Sequence, residues 1–313
     1  MATSAPLPPV PGAHPSTDTV AAKLKRKLVS LIQPTVLLGP AGIWLFLLLV
    51  VPTLMILELS LIPGFRPGEP AGAYGLGNYT KIFELIDGQP IYLWVIARSV
   101  LFSVGSMLIC LFLGFPVAYW IAIMAPKRWQ NLLLVSFVLP LWTSSLLRSY
   151  AWITILRPTG VLNSLLGVFN LPPVDILNTQ TAVMIGLAYN YLPYMVLILY
   201  SSLEKLDQRL LEAASDLGAT PQQGFWKVTV PQTLPGIAAG CLLVFITNLG
   251  DFVVPELLGG ASSMTMARLV YNQFLGATRN WGFGSGLSML LILGVSIAIA
   301  LLLKYGDQKA EDF

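Results

Sequence analysis

An all-α integral membrane protein with six transmembrane helices and both termini in the cytoplasm is the fold this sequence predicts. Three observations carry that expectation. Charge is too scarce to cover a core in water, apolar runs of bilayer length recur, and Lys and Arg are unevenly split between the connections. Apolar residues make up 55% of the 313 and charged residues only 11%, with a mean hydropathy of +0.73. A soluble domain usually carries roughly 25% charge.

Taken in order, residues 1–33 read as a Pro/Ser/Ala/Thr-rich disordered tail to about Thr19, followed by a basic interfacial helix. That helix carries Val20, Leu24, Leu28 and Ile32 along one side, with Lys23, Lys25, Arg26 and Lys27 among them. Residues 34–305 then form the membrane domain, and 306–313 a short cytoplasmic tail. Hydrocarbon about 30 Å thick needs roughly 20 apolar residues per crossing. The runs Thr35–Leu57, Arg98–Met124, Leu132–Ile155, Gln180–Ser202, Leu234–Pro255 and Phe283–Lys304 meet that length. The first is too long for a signal-peptide core, and no small-residue cleavage site follows it. Pro116, Pro140 and Pro193 are expected to kink their helices.

Orientation follows from the basic residues. Lys23, Lys25, Arg26, Lys27, Lys127, Arg128, Lys205, Arg209, Lys227, Lys304 and Lys309 fall on one side. The other side has scattered Arg66, Lys81, Arg98, Arg157, Arg268 and Arg279. A net charge of +3 gives no reason to expect nucleic acid. Cys110 and Cys241 lie inside apolar runs without metal-ligand spacing, and His14 is the sole histidine. No metal site and no catalytic residue is expected. A phosphate-binding G-x-x-x-x-G-K-[ST] run is missing, since Gly259-Gly260 is followed by Ala261-Ser262-Ser263. The chain is therefore expected to hold no cofactor and to leave any ATP and Mg to other subunits.

The cytoplasmic connection 203–236 is the most specific segment. Asp207 is placed to cap a helix through Glu212, Ala213 and Ala214, ended by a left-handed Gly218. Thr220-Pro221-Gln222-Gln223 has the pattern of a capping box opening a second helix. Pro231 and Pro235 are expected to stop that helix and turn the chain into the fifth span. Such an elbow with small residues on one face suits docking into a partner's groove. The alternative is an amphipathic connector packed on its own membrane domain.

Glu212-Ala213-Ala214, then Gly218, then Val228-Thr229-Val230-Pro231 resembles the EAA loop of bacterial ABC importer permeases, with Val where Ile and Leu are usual. More narrowly, the run Leu139-Pro140-Leu141-Trp142 through Trp152 is similar to spermidine/putrescine permease subunits. So are Tyr191-Leu192-Pro193 and Gly250-Asp251-Phe252-Val253-Val254-Pro255-Glu256. The resemblance spans about Leu37 to Lys304. It implies the bacterial inner membrane, a second permease subunit, two ABC ATPases seated on the elbow and an extracytoplasmic substrate-binding protein. Glu212, Ala213, Ala214, Gly218 and Pro231 become the ATPase-coupling residues.

Ionisable groups within spans are costly, which makes Arg148, Asp251 and Glu256 candidates for the substrate pathway. For a polyammonium cargo, Asp251 and Glu256 would supply charge, and Trp142, Tyr150, Trp152, Tyr189 and Tyr194 cation–π faces. Interfacial anchoring is the competing role for the aromatics, and pairing with Asp251 or lipid phosphate for Arg148. Other cargoes (an opine, another organic cation, an anion) stay open, as do an ATP-independent channel or carrier and a membrane-embedded enzyme.

Overall fold

The structure, a computed structural model, describes the backbone of residues 20–70 and 72–308. Side chains are described from Leu38 to Ala300, apart from residue 71, and for Lys304. The tail expected to be disordered, His14 and the last five residues lie outside this range. So do the side chains of the basic stretch from Val20. Among the described residues there is no β-strand.

Helix α1, Val20–Ser60, is one continuous element, and its apolar part Leu38–Ser60 is long enough to cross a bilayer. The described chain divides between Met55 and Ile56 into two units. The second unit holds α2 (Ile91–Met124), α3 (Lys127–Val138), α4 (Ser145–Leu156), α5 (Val161–Val168) and α6 (Gln180–Leu203). After these come α7 (Gln208–Asp216), α8 (Pro221–Gly250), α9 (Val253–Leu258), α10 (Met266–Leu275) and α11 (Trp281–Gln308). Five helices among the described residues are long and apolar enough to span, or six if the bent pair formed by Lys127–Trp142 and Ser145–Val168 is one span.

The third expected span, Leu132–Ile155, is thus not a continuous helix. After α3 the chain tightens into a 3₁₀ turn over Leu139–Trp142 that contains Pro140. Thr143 is extended, Ser144 starts α4 by accepting the Leu146 N–H, and the two limbs meet at 90°. Proline lacks the N–H that a continuing helix needs, and Ser144 offers a side-chain cap for a fresh start. The fifth span also differs from expectation, running Pro221–Gly250 instead of Leu234–Pro255. Pro231 and Pro235 do not stop it. The π-helical stretch Phe225–Thr229 carries the helix into Val230, and Pro231 sits at the start of the next segment where no N–H is needed. Pro116 and Pro193 likewise stay inside their helices, and the turn after Pro116 ends in a π stretch over Trp120–Met124.

The core of the second unit is a packed bundle of α2, α6 and α8, where Cys110, Ile121, Met195, Leu199 and Val244 are fully buried together. Gly186 lets α9 press on α6, since a Cβ there would come within 2.8 Å of Val254 Cγ1. Phe283 and Leu287 of α11 close one end against Ile82, Val95 and Met266.

Candidate functional site

Two places bring the expected residues together: a polar elbow outside the spans and a polar cluster inside them. At the elbow, Asp207 Oδ1 accepts the Arg209 N–H at 3.0 Å and starts α7. The helix ends at Leu217, and Gly218 takes φ +83°. Its N–H bonds Ser215 O at 2.9 Å, and the Ala219 N–H reaches back to Ala214 O at 2.9 Å. This paired closure is a Schellman motif, whose left-handed position favours glycine because it lacks a Cβ. Thr220 and Gln223 then form the reciprocal capping box, Thr220 N–H to Gln223 Oε1 at 2.9 Å and Gln223 N–H to Thr220 Oγ1 at 3.3 Å. Glu212 and Ala213 are exposed, Ala214 half-buried and Pro231 exposed. Leu217 is 89% exposed, and Trp226 projects outward nearby. The elbow's apolar surface is divided: Leu210, Leu217 and Trp226 are exposed, while Phe225 packs edge-on against Phe115 and Tyr119 of α2.

Inside the bundle, Asp251 follows the last residue of α8 in extended conformation. Its Oδ1 accepts the N–H groups of Val253 (2.8 Å) and Val254 (3.2 Å), capping α9. Its Oδ2 accepts the Tyr191 hydroxyl of α6 at 3.0 Å. Arg148, in the first turn of α4, donates through Nη1 to Asn190 O at 3.5 Å, while its buried Nε has no partner. Asn190, 3% exposed, donates to Ser145 Oγ at 3.4 Å and leaves Oδ1 unbonded. Arg148, Asn190, Tyr191 and Asp251 thus join the break in the third span to the end of α8, with hydrogen-bonding capacity to spare.

The other candidates divide. Trp152 meets Tyr189 edge-on at 5.4 Å, and Tyr194 lies 6.2 Å from the cluster residue Tyr191. Trp142, 86% exposed, stands at the span break, and Tyr150 is half exposed. Glu256 is engaged by Arg268 Nε in an ion pair. The same arginine donates through Nη1 to the carbonyls of Pro255 (3.2 Å), Gly259 (3.0 Å) and Gly260 (3.1 Å). Glu256 therefore belongs to a clamp that shapes the α9–α10 turn, and of the two candidate carboxylates Asp251 makes no ion pair among the described residues. Sequence reasoning missed Asn190 and Tyr191 as site residues. Both flank the expected Tyr189 and Tyr194, and a polar Asn-Tyr pair in mid-span was the available signal. It also missed Arg268 as the partner of Glu256, and Phe252, which stacks on Tyr271 at 4.5 Å beside Asp251.

Residues 114–306 match the family model described as the binding-protein-dependent transport system inner membrane component. The spermidine/putrescine transport system permease protein PotB of Haemophilus influenzae is 41% identical over 263 residues, covering 83% of this chain and 88% of that protein. PotB of Escherichia coli is 39% identical over 259 residues, 82% of this chain and 91% of that one. In fold, the chain is similar to a chain of a bacterial ABC transporter that imports the acidic polysaccharide alginate. The TM-score is 0.72 at 18% identity, over 92% of this chain and 99% of that chain.

Proposed function

Since the chain belongs to the family of binding-protein-dependent transport system inner membrane components, matched over residues 114–306, we propose that it is the permease subunit of an ATP-driven polyamine importer. It is a multi-pass protein of the bacterial inner membrane. The cargo reading rests on the relatives named for spermidine and putrescine that align over more than four-fifths of the chain. Six spans with cytoplasmic termini complete the reading, the bent pair counting as one. The subunit works with a second permease, two ATPases on the elbow and an extracytoplasmic binding protein.

One structural observation supports the mechanism: a single helix joins the elbow to the polar cluster. Thr220 caps its first turn and Asp251 follows its last, with 30 helical residues between. At 1.5 Å per residue this rod is roughly 45 Å long. Closure of the two ATPases displaces the elbow, α8 transmits the displacement, and Asp251 moves relative to Tyr191 on α6 and Arg148 on α4. Alternating access is then a change in which face of the cluster is open, and ATP hydrolysis in the partner subunits resets it.

At the cluster, Asp251 offers a cargo ammonium the unused lone pairs of Oδ2, and Tyr191, Tyr194 and Tyr189 offer aromatic faces. Arg148 balances the Asp251 charge when no cargo is bound and, having the same sign as an ammonium, has to draw away from Asp251 as cargo enters. Competition for uptake tests the cargo. Labelled spermidine entering cells in which this chain is the sole polyamine permease should be blocked by unlabelled putrescine and spermidine, and not by lysine, an opine or phosphate. Block by an opine or phosphate, with polyamines inert, overturns the cargo and keeps the permease.

A further inference from the structure

The connection between α4 and α6 lies on the face opposite the elbow, because α6 and its 24 residues stand between them, about 36 Å of helix. It is a stiff structure. Asn163 Nδ2 donates to Pro158 O (3.0 Å) and Val174 O (2.9 Å), and its Oδ1 accepts the Val174 N–H at 2.8 Å. Gly160 makes the tight entry to α5, where a Cβ would fall 2.6 Å from Thr154 O and Ile155 O. At the exit Asn170 takes φ +54°, and the Leu171 N–H returns to Leu166 O at 2.9 Å.

This stiff loop is inside out for water. Its polar Asn163 is spent on holding backbone, while Val161, Leu165, Val168 (76% exposed) and Phe169 (73% exposed) form a bare stripe at i, i+4, i+7 and i+8. The helix is also the distal end of the bent membrane pair, Ser145–Val168. An open hollow of about 410 Å³ is lined by polar Thr154, Arg157, Thr159 and Ser164 together with Val161, Leu165 and Val168 of the stripe. The Arg157 guanidinium and the Thr159 hydroxyl have no partner among the described residues. A cation and a hydroxyl without partners among the described residues, beside the exposed apolar stripe of a helix in a candidate membrane-spanning pair, match a phosphodiester joined to an acyl chain.

We propose that this cavity binds a phospholipid of the outer leaflet, its phosphate on Arg157 and Thr159 and an acyl chain along Val161, Leu165 and Val168. α5 is therefore embedded at headgroup depth. The site anchors the far limb of the broken span, which carries Arg148 at its other end. The proposal rests on the membrane placement above and is independent of cargo.

The test uses the assembled transporter, with Cys110 and Cys241 replaced by Ala, in phosphatidylethanolamine/phosphatidylglycerol vesicles. A polarity-sensitive fluorophore is attached at Val168→Cys, with Phe112→Cys (85% exposed, mid-span) and Glu69→Cys as references. The Val168 label should emit in the apolar range and be quenched by shallow doxyl-labelled phospholipid, unlike the Glu69 label. Water-like emission without quenching overturns the proposal, as does quenching that vanishes when the binding protein docks. In native mass spectrometry, Arg157→Gln should lower retained phosphatidylglycerol roughly ten-fold, the usual weight of a hydrogen bond to a charged group. Unchanged retention overturns the headgroup assignment, whatever cargo the transporter carries.

Discussion

At the residue scale, Asp251 does two jobs with its two oxygens, and substitution separates them. One oxygen caps α9 through the Val253 and Val254 N–H groups, and the other meets Tyr191. In Asp251→Asn the amide oxygen keeps the cap while the charge is lost. The expected result is normal assembly with uptake reduced by roughly 10- to 100-fold, given about 1.5–3 kcal/mol for a hydrogen bond to a charged group. Uptake by assembled Asp251→Asn at the parental rate would remove Asp251 from the pathway. Arg268→Ala should act differently. It strips four hydrogen bonds from Glu256 and three carbonyls, so thermal stability in detergent should fall together with uptake, and a melting curve reads the difference. The charged residues at this scale were legible in the sequence because ionisable groups in apolar runs stand out. Their partners were not. Nothing local to Glu256 announces Arg268, twelve positions on, and Asn190 and Tyr191 became visible only when α6 was laid against α4 and α8.

At the scale of elements, the elbow is almost wholly local physics, and local physics is what a sequence records best. Asp207, Gly218, Thr220 and Gln223 cap helices through neighbours within a few residues, so their types and spacing specify the geometry. Gly218→Asp puts a side chain at φ +83°, a left-handed conformation that Asp tolerates better than most residues, so its main effect is the charge it adds to the docking face. ATPase activity stimulated by the loaded binding protein should drop sharply in this variant, while the chain still inserts in the membrane. Retained stimulation would show that the elbow does not couple. Thr220→Ala should cost about 1 kcal/mol of local helix stability through the lost cap, visible as faster amide exchange in the first turn of α8. The two elements that departed from expectation both involve proline. Pro140 helped break a span and Pro231 did not, because one follows a helix that a new cap can replace and the other lies just after a π stretch. Apolar run length is blind to that distinction.

At the scale of the whole molecule, hydropathy and resemblance together set the class of protein, and packing sets how force would pass through it. The helices α2, α6 and α8 pack on one another at the centre of the second unit, and α8 runs from the elbow to Asp251. On the proposed function, that continuity is what would carry a displacement at the ATPases to the polar cluster. The most direct measurement is accumulation of labelled spermidine in proteoliposomes holding the assembled transporter and the binding protein, with ATP supplied only on the elbow side. Accumulation above the outside concentration, strictly dependent on that ATP, is the expected result. Equilibration at the same rate without ATP would instead make the chain part of a passive channel and contradict the account.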